Sequence, residues 1–315
     1  MHFTIIGAGA VGGFYAAMLA RAGVDVSVIA RGPHLEAIRR DGLRIQSAAV
    51  GDVTAAVRAE SDPARIGAVD VVILAVKTYS NSGALPLIRP LLGPDTTVLT
   101  LQNGVDSAEE VAAVAGETRT IAGATYIATG VEAPGLIRHT GSYRRIVMGE
   151  CFGPPAAEVS ERVRRIAGAM SMADIQLETV PDARVALWEK FIYLAPFAAV
   201  TASARRPIGP IWADADGRET FLGSVAETEA VARATGIAIA ADIRERTERH
   251  TATLPPDVRS SMLIDLTQGK PLELDSLPGS VVRRGGALGV PTPRMQTMLA
   301  MLRPHKDGMP AARAD

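Results

Sequence analysis

A glycine-rich turn set between a strand and a helix constrains this chain more than any other feature. The stretch FTIIGAGAVGGFYAAMLARAG, residues 3–23, puts a β-favouring run before Gly7, Gly9 and Gly12 and an alanine-rich helical pattern after them. A second apolar run, VDVSVIA, follows at residues 24–30. This is the G-x-G-x-x-G spacing of a dinucleotide-binding βαβ unit. Gly7 permits the tight turn, Gly9 lets a pyrophosphate approach the backbone, Gly12 allows close helix packing, and the helix N-terminus holds the anion. A glycine-rich turn without a ligand can carry the same letters. The flanking strand, helix and second strand at the expected distances favour the cofactor reading, with Gly7, Ala8, Gly9, Ala10, Val11 and Gly12 as its contacts.

More runs of the same kind follow: LRIQS, VDVVILAVK and TVLTLQNG, each bounded by Gly, Asp or Pro. Apolar strands alternating with helical patterns predict a parallel sheet covered on both faces. From about residue 120, alternation and turn residues predict antiparallel strands, then one more helix and the strand DIQLETV. Beyond Pro181 helical periods dominate, at 183–203, 214–235, 239–252, 257–267, 271–288 and 292–302. The expected fold class is therefore α/β: a doubly wound Rossmann-like domain over 1–180, followed by an all-helical domain over 181–315. The tail RPHKDGMPAARAD is expected to fray.

Composition narrows the function classes. A net charge of -1 over 315 residues, without a basic stripe, gives no footprint for nucleic acid or an anionic membrane. The single cysteine, Cys151, excludes an intrachain disulfide and reads as an inert buried thiol. The five histidines show no metal-ligand spacing, and His139 reads as a strand-end residue. No serine or cysteine sits in a nucleophile motif. No apolar run reaches the roughly 20 residues that span a bilayer. A soluble cytoplasmic protein acting on small molecules is the expectation.

The residue after the second strand selects the cofactor. An acidic side chain there binds a ribose 2′-hydroxyl and an arginine a 2′-phosphate. Ala30 and Arg31 occupy this place, so NADPH is expected over NADH, against the alternative that Arg31 is only a solvated surface charge. Lys77 in LAVKTYS and Asn103 in LQNGV each follow an apolar strand, at the sheet edge where such folds bind ligands. Farther on, LWEKFIYLAPFAAVTA sets Lys190 into an apolar helix face, beside Ala186, Leu187, Tyr193 and Leu194. Snorkelling explains such a lysine, and so does a functional ammonium.

The motifs GAGAVGG, LAVKTYS, LQNGV, LWEKF and SSMLIDLTQGKPLELDSLPG, in that order and at compatible spacings, make nearly the whole chain resemble the ketopantoate reductase family. The resemblance implies reduction of a 2-oxo acid to a 2-hydroxy acid by NADPH, with Lys190 as general acid. By the same likeness Asn103 contacts cofactor and substrate, Lys77 lies beside the cofactor, Ser261 holds the substrate, and Glu273 orients the site and touches the cofactor. Burial would draw the Lys190 pKa down towards neutrality, while a nearby carboxylate such as Glu273 would oppose this. Taken singly, each has an alternative: Lys77 a loop charge, Asn103 a turn residue, Ser261 a helix cap, Glu273 an exposed carboxylate.

The chain departs from the family at the substrate. Members that reduce ketopantoate carry asparagines four and eight residues after the lysine, where this chain has Leu194 and Ala198, and a third falls on Ile208. Each lost partner for a substrate hydroxyl costs about 1–3 kcal/mol. Two accounts stay open. Arg205, Arg206 or Tyr193 replaces the missing contacts, or Leu194, Phe197 and Ala198 line a site for a more apolar carbonyl compound. Pro196 could kink the helix and redirect the residues after Ala195. A cofactor-binding sensor without catalysis is the alternative of a different class. The family likeness also suggests a homodimer.

Overall fold

Strands that are apolar on both faces need cover on both sides. In the computed structural model, which describes residues 1–309, the first half supplies it with β1 (His2–Ile6), α1 (Ala10–Arg21), β2 (Asp25–Ile29), α2 (Gly32–Asp41), β3 (Leu43–Ser47), β4 (Val53–Ala55), β5 (Arg58–Glu60), β6 (Val69–Leu74), α3 (Asn81–Ala84), β7 (Leu92–Thr100), α4 (Ser107–Ala115), β8 (Thr120–Ala133), β9 (Leu136–Glu150), α5 (Glu161–Met170) and β10 (Gln176–Asp182). These strands form a ten-stranded sheet in the order β4-β3-β9-β8-β7-β6-β1-β2-β5, with β10 also paired to β9. The centre is parallel: Ile5 of β1 lies opposite Val28 of β2 and Ile73 of β6, and all three are fully buried.

The expected antiparallel pair is β8 and β9. Its length bends the sheet away from a simple doubly wound layout. The first part of β9 pairs with β3, Arg44 opposite Leu136, while its last part pairs with β10, Arg145 opposite Gln176. The short strands β4 and β5, three residues each, were too brief to leave a pattern in the sequence. The sheet curls round α1, whose residues from Gly12 to Leu19 are all buried. A helix apolar on every side requires such an enclosure. His139 lies within β9 rather than at a strand end, bonded to Ser47 Oγ and the Tyr143 carbonyl, and packed on Phe14.

The helices that follow are α6 (Ala183–Ala204), α7 (Ile208–Ala213), α8 (Ala215–Ala234), α9 (Ile243–Ala252), α10 (Ser261–Thr267), α11 (Pro278–Leu288) and α12 (Pro293–Leu302). The chain divides into two compact units, residues 1–102 with 107–186, and 103–106 with Leu187 onward. This division falls six residues later than a cut after residue 180, inside α6, because β10 runs to Asp182 and Ala183 lies over Gly149 of β9. The short segment Asn103–Asp106 also packs with the helices, which no one-cut scheme can express.

The second unit builds its own core from Phe191, Ile192, Phe221, Val225, Leu274 and Met295. Several helices start later than periodicity predicts, at Ile243, Ser261 and Pro278. Local chemistry sets two of these starts: Ser260 caps α10 by accepting from the Leu263 amide at 3.0 Å, and Pro278 takes a first-turn position of α11 that needs no amide hydrogen. The short α7 was not expected. α6 continues through Pro196 as one helix of 22 residues. By length and composition alone it passes for a bilayer-crossing helix, but Glu189 and Lys190 interrupt its apolar run, as the sequence led one to expect, and 61% of its apolar window is buried inside the fold. The expected fraying is not seen through Met309: the Leu272 amide donates to the Lys306 carbonyl and the Met309 amide to that of Gly269, both at 2.9 Å. The rest of that tail, 310–315, lies outside the described residues.

Candidate cofactor loop and active site

In the first unit the glycine turn has the geometry that its sequence requires. Gly7 has φ of +100°, and a Cβ there would lie 2.6 Å from the Val76 side chain. A Cβ on Gly12 would sit 2.1 Å from the Gly7 carbonyl oxygen and 2.9 Å from Ala75, so only glycine lets α1 approach β1 and β6. Gly9 is different. Its φ of -72° suits any residue and a Cβ there meets nothing within 4 Å, so no neighbour inside the protein demands glycine. That space lies at the N-cap of α1, where the unbonded amides of the first turn favour an anion. Ala8 is buried, and Ala10 and Val11 begin the helix. The residues therefore fit a dinucleotide pyrophosphate.

Arg31 caps α2 at the end of β2, exposed, with no hydrogen-bond or ion-pair partner for its guanidinium among the described residues. Lys77 stands at the carboxyl end of β6, half-buried, and starts a 3-10 turn over Thr78–Ser80. The adjoining loop is fixed by Gln102, which donates to the Val76 carbonyl at 2.9 Å and to Asn81 Oδ1 at 2.6 Å.

In the second unit, Lys190 Nζ donates to Asn103 Oδ1 at 2.9 Å. Desolvation in its half-buried surroundings draws the lysine pKa down to about 8, and the negative charge of Glu273 opposes the shift. Glu273 is 4% exposed, so this carboxylate is not the surface charge a lone Glu usually is. Three of the residues singled out in the sequence thus meet: Lys190, Asn103 and Glu273.

Sequence reasoning missed the clamp that holds Asn103 in place. Asp106, three residues on, is buried and accepts from Arg283 at 2.6 Å and from Arg284 Nε and Nη2 at 2.8 and 2.7 Å. Arg284 also lies over the ring of Trp188, two residues before Lys190, 5.9 Å from its centroid. Gly104, at φ of +100°, brings the backbone so close to Ser276 that a Cβ would lie 2.9 Å from the Ser276 carbonyl. The adjacent arginines in VVRRGG were the available signal, on a helix otherwise made of small and apolar residues.

The remaining candidates differ in how far they are buried. Ser261 is exposed on the first turn of α10, and its hydroxyl has no hydrogen-bond partner among the described residues. The capping role belongs to its neighbour Ser260, which also bonds Thr201 at 2.7 Å. Leu194 is half-buried, whereas Ala198 and Ile208 are sealed in the core at 1% exposure each. Arg205 and Arg206 follow the end of α6; at 1.5 Å per residue their helix end lies about 20 Å along the axis from Lys190, too far for a shared substrate contact. Tyr193, by contrast, is one turn away. Its ring stacks on Phe197 at 5.1 Å, its hydroxyl has no hydrogen-bond partner among the described residues, and burial raises its pKa, which keeps it a neutral donor.

Among the described residues no group of His, Cys, Asp or Glu is arranged to hold a metal. Burial pushes the Cys151 thiol up to about 12, which makes it a poor nucleophile at neutral pH.

Comparison with known proteins gives a consistent result. The family model for ketopantoate reductase PanE/ApbA matches residues 3–152, and that for the PanE/ApbA C-terminal domain matches residues 182–306. A 2-dehydropantoate 2-reductase of Mesorhizobium japonicum is 35% identical, over 96% of this chain and 97% of its own. Among solved structures, a PanE/ApbA family ketopantoate reductase from Ralstonia eutropha is 34% identical, with a TM-score of 0.87 over 97% of this chain and 98% of that one. A 2-dehydropantoate 2-reductase from Geobacter metallireducens is 32% identical, with a TM-score of 0.89 over 96% and 99% of the two chains.

Proposed function

The chain belongs to the ketopantoate reductase family, NAD(P)-dependent oxidoreductases acting on CH–OH groups, and from that premise we propose that it reduces a 2-oxo acid with NADPH, using Lys190 as the proton donor. The observation that carries this reading is the Lys190 ammonium, held by Asn103 at 2.9 Å, with a pKa drawn to about 8. A donor of that pKa is protonated at neutral pH and can give up its proton readily.

A nicotinamide cofactor, when bound, would supply a hydride to the carbonyl carbon. As negative charge grows on the carbonyl oxygen, the Lys190 ammonium stabilises it and then transfers its proton to that oxygen. Glu273 favours the charged lysine and so keeps the donor loaded. With Oδ1 of Asn103 engaged by the lysine, its Nδ2 hydrogens remain to donate towards substrate or cofactor. Gly7, Ala8, Gly9, Ala10, Val11 and Gly12 receive the pyrophosphate, and Lys77 and Glu273 contribute further cofactor contacts. Arg31, without a partner for its guanidinium among the described residues, pairs with the 2′-phosphate.

Ketopantoate is the substrate that the family likeness supports, with Ser261 and Tyr193 offering hydroxyls where Leu194 and Ala198 cannot. With that substrate the enzyme would serve pantothenate synthesis, and the family likeness supports a cytoplasmic homodimer. A second reading is favoured by Leu194 itself: an apolar, half-exposed side chain one turn from the lysine suits a less polar 2-oxo acid. Cofactor oxidation with a panel of 2-oxo acids separates the two. Preference for ketopantoate supports the first reading, and preference for an apolar analogue the second. The same assay with NADH tests Arg31: NADPH is expected to be favoured, and equal use of both cofactors would refute the pairing.

A further inference from the structure

The ring of His34, in the first turn of α2, touches the backbone at both nitrogens. Its Nε2 is 2.6 Å from the Ala8 carbonyl oxygen, inside the glycine turn, and its Nδ1 is 3.0 Å from the amide nitrogen of Gly135, in the turn between β8 and β9. A backbone carbonyl can only accept and an amide N–H can only donate. The tautomer is therefore determined: the ring is neutral, Nε2–H donates to Ala8, and Nδ1 accepts from Gly135. The Gly135 end is itself anchored. Its carbonyl accepts from the Arg44 amide at 2.9 Å, and a Cβ on Gly135 would lie 3.0 Å from Ala37 of α2.

In a trans peptide the carbonyl and the following N–H point in opposite directions, and no peptide among the described residues is cis. Drawing the Ala8 carbonyl towards α2 therefore turns the Gly9 N–H away from α2, at the N-cap where Gly9 leaves open space. We propose that His34 is a positioning residue for the cofactor: its neutral ring ties the glycine turn to α2 and so aims the Gly9 amide at the pyrophosphate. The inference rests on the dinucleotide reading of that turn and adds a control point outside the glycine motif. It also couples two recognition elements, because Arg31 caps the helix whose first turn carries His34.

Side chains that replace one ring nitrogen at a time supply the test. Glutamine places an amide nitrogen near the Nε2 position and can restore the bond to Ala8. Asparagine places its oxygen near the Nδ1 position and can restore only the bond to Gly135. Phenylalanine keeps the ring and neither bond. NADPH affinity by calorimetry, and KM and kcat for both substrates, would be compared for the wild type, His34→Gln, His34→Asn and His34→Phe, with circular dichroism to verify folding.

The expected result is a Kd and KM for NADPH within about twofold of wild type for His34→Gln and raised about tenfold in the other two, the effect of one lost hydrogen bond. The KM for the 2-oxo acid and kcat should change little. Equal behaviour of the Asn and Gln variants, or loss of kcat at unchanged KM for NADPH, would overturn the assignment. Wild-type protein that binds no NADPH would overturn the dinucleotide reading itself, whereas wild-type binding with unchanged variants would remove only the role given to His34.

Discussion

Lys190 is subject to two opposed influences, and their balance can be measured. Desolvation favours the neutral amine and the Glu273 carboxylate favours the ammonium; desolvation dominates, and the pKa falls from 10.5 to about 8. With Lys190 as the proposed proton donor, reduction needs the ammonium. The rate should therefore be level on the acid side and fall about tenfold per pH unit above about 8. Replacing Glu273 by Gln removes the opposing charge, so the alkaline limb should move to lower pH, by about 1 unit. A pH–rate profile of both proteins checks the sign, and a limb that moved upward in Glu273→Gln would contradict the arrangement. This lysine stood out in the sequence because an ammonium interrupts an apolar helix face, and the role proposed for it came with the family resemblance. Asp106 and its two arginines were not, because an ion pair spanning 177 residues of chain leaves no local pattern.

At the scale of elements, the turn before α1 separates two reasons for glycine. Gly12 serves packing and Gly9 is proposed to serve a ligand, so alanine at each should fail differently. Gly12→Ala forces a Cβ to within 2.1 Å of the Gly7 carbonyl and should cost about 1–3 kcal/mol of stability, read from urea unfolding. Gly9→Ala meets open space and should leave the unfolding midpoint nearly unchanged while weakening NADPH binding by about tenfold or more. Equal destabilisation by both would mean that the open space at Gly9 is not kept for a cofactor. These glycines were readable because their spacing is set by local backbone geometry. The partner of β3 was not. It pairs with β9, about 90 residues away, while the three residues of β5 fill the edge beside β2. Helix starts after residue 235 were misplaced for a similar reason: capping by Ser260 and the proline at 278 override hydrophobic periodicity.

At the scale of the whole molecule, the sequence identified the class of chemistry better than the limits of its parts. Two structural units were expected, but the four residues Asn103–Asp106 leave the first unit and join the second, carrying the lysine's partner with them. The chemistry was legible because a phosphate turn, a buried lysine and a paired amide each need particular residue types. The substrate was less so, because an apolar Leu194 says what is missing without saying what replaces it.

The most direct measurement is NADPH oxidation with ketopantoate by wild type and Lys190→Ala, alongside NADPH binding to both. A loss of kcat of about 100-fold or more is expected in the variant, with cofactor affinity retained. A variant that turns over at the wild-type rate, or a wild type that binds NADPH yet reduces no 2-oxo acid, would contradict the assignment of Lys190 as the proton donor of a reductase.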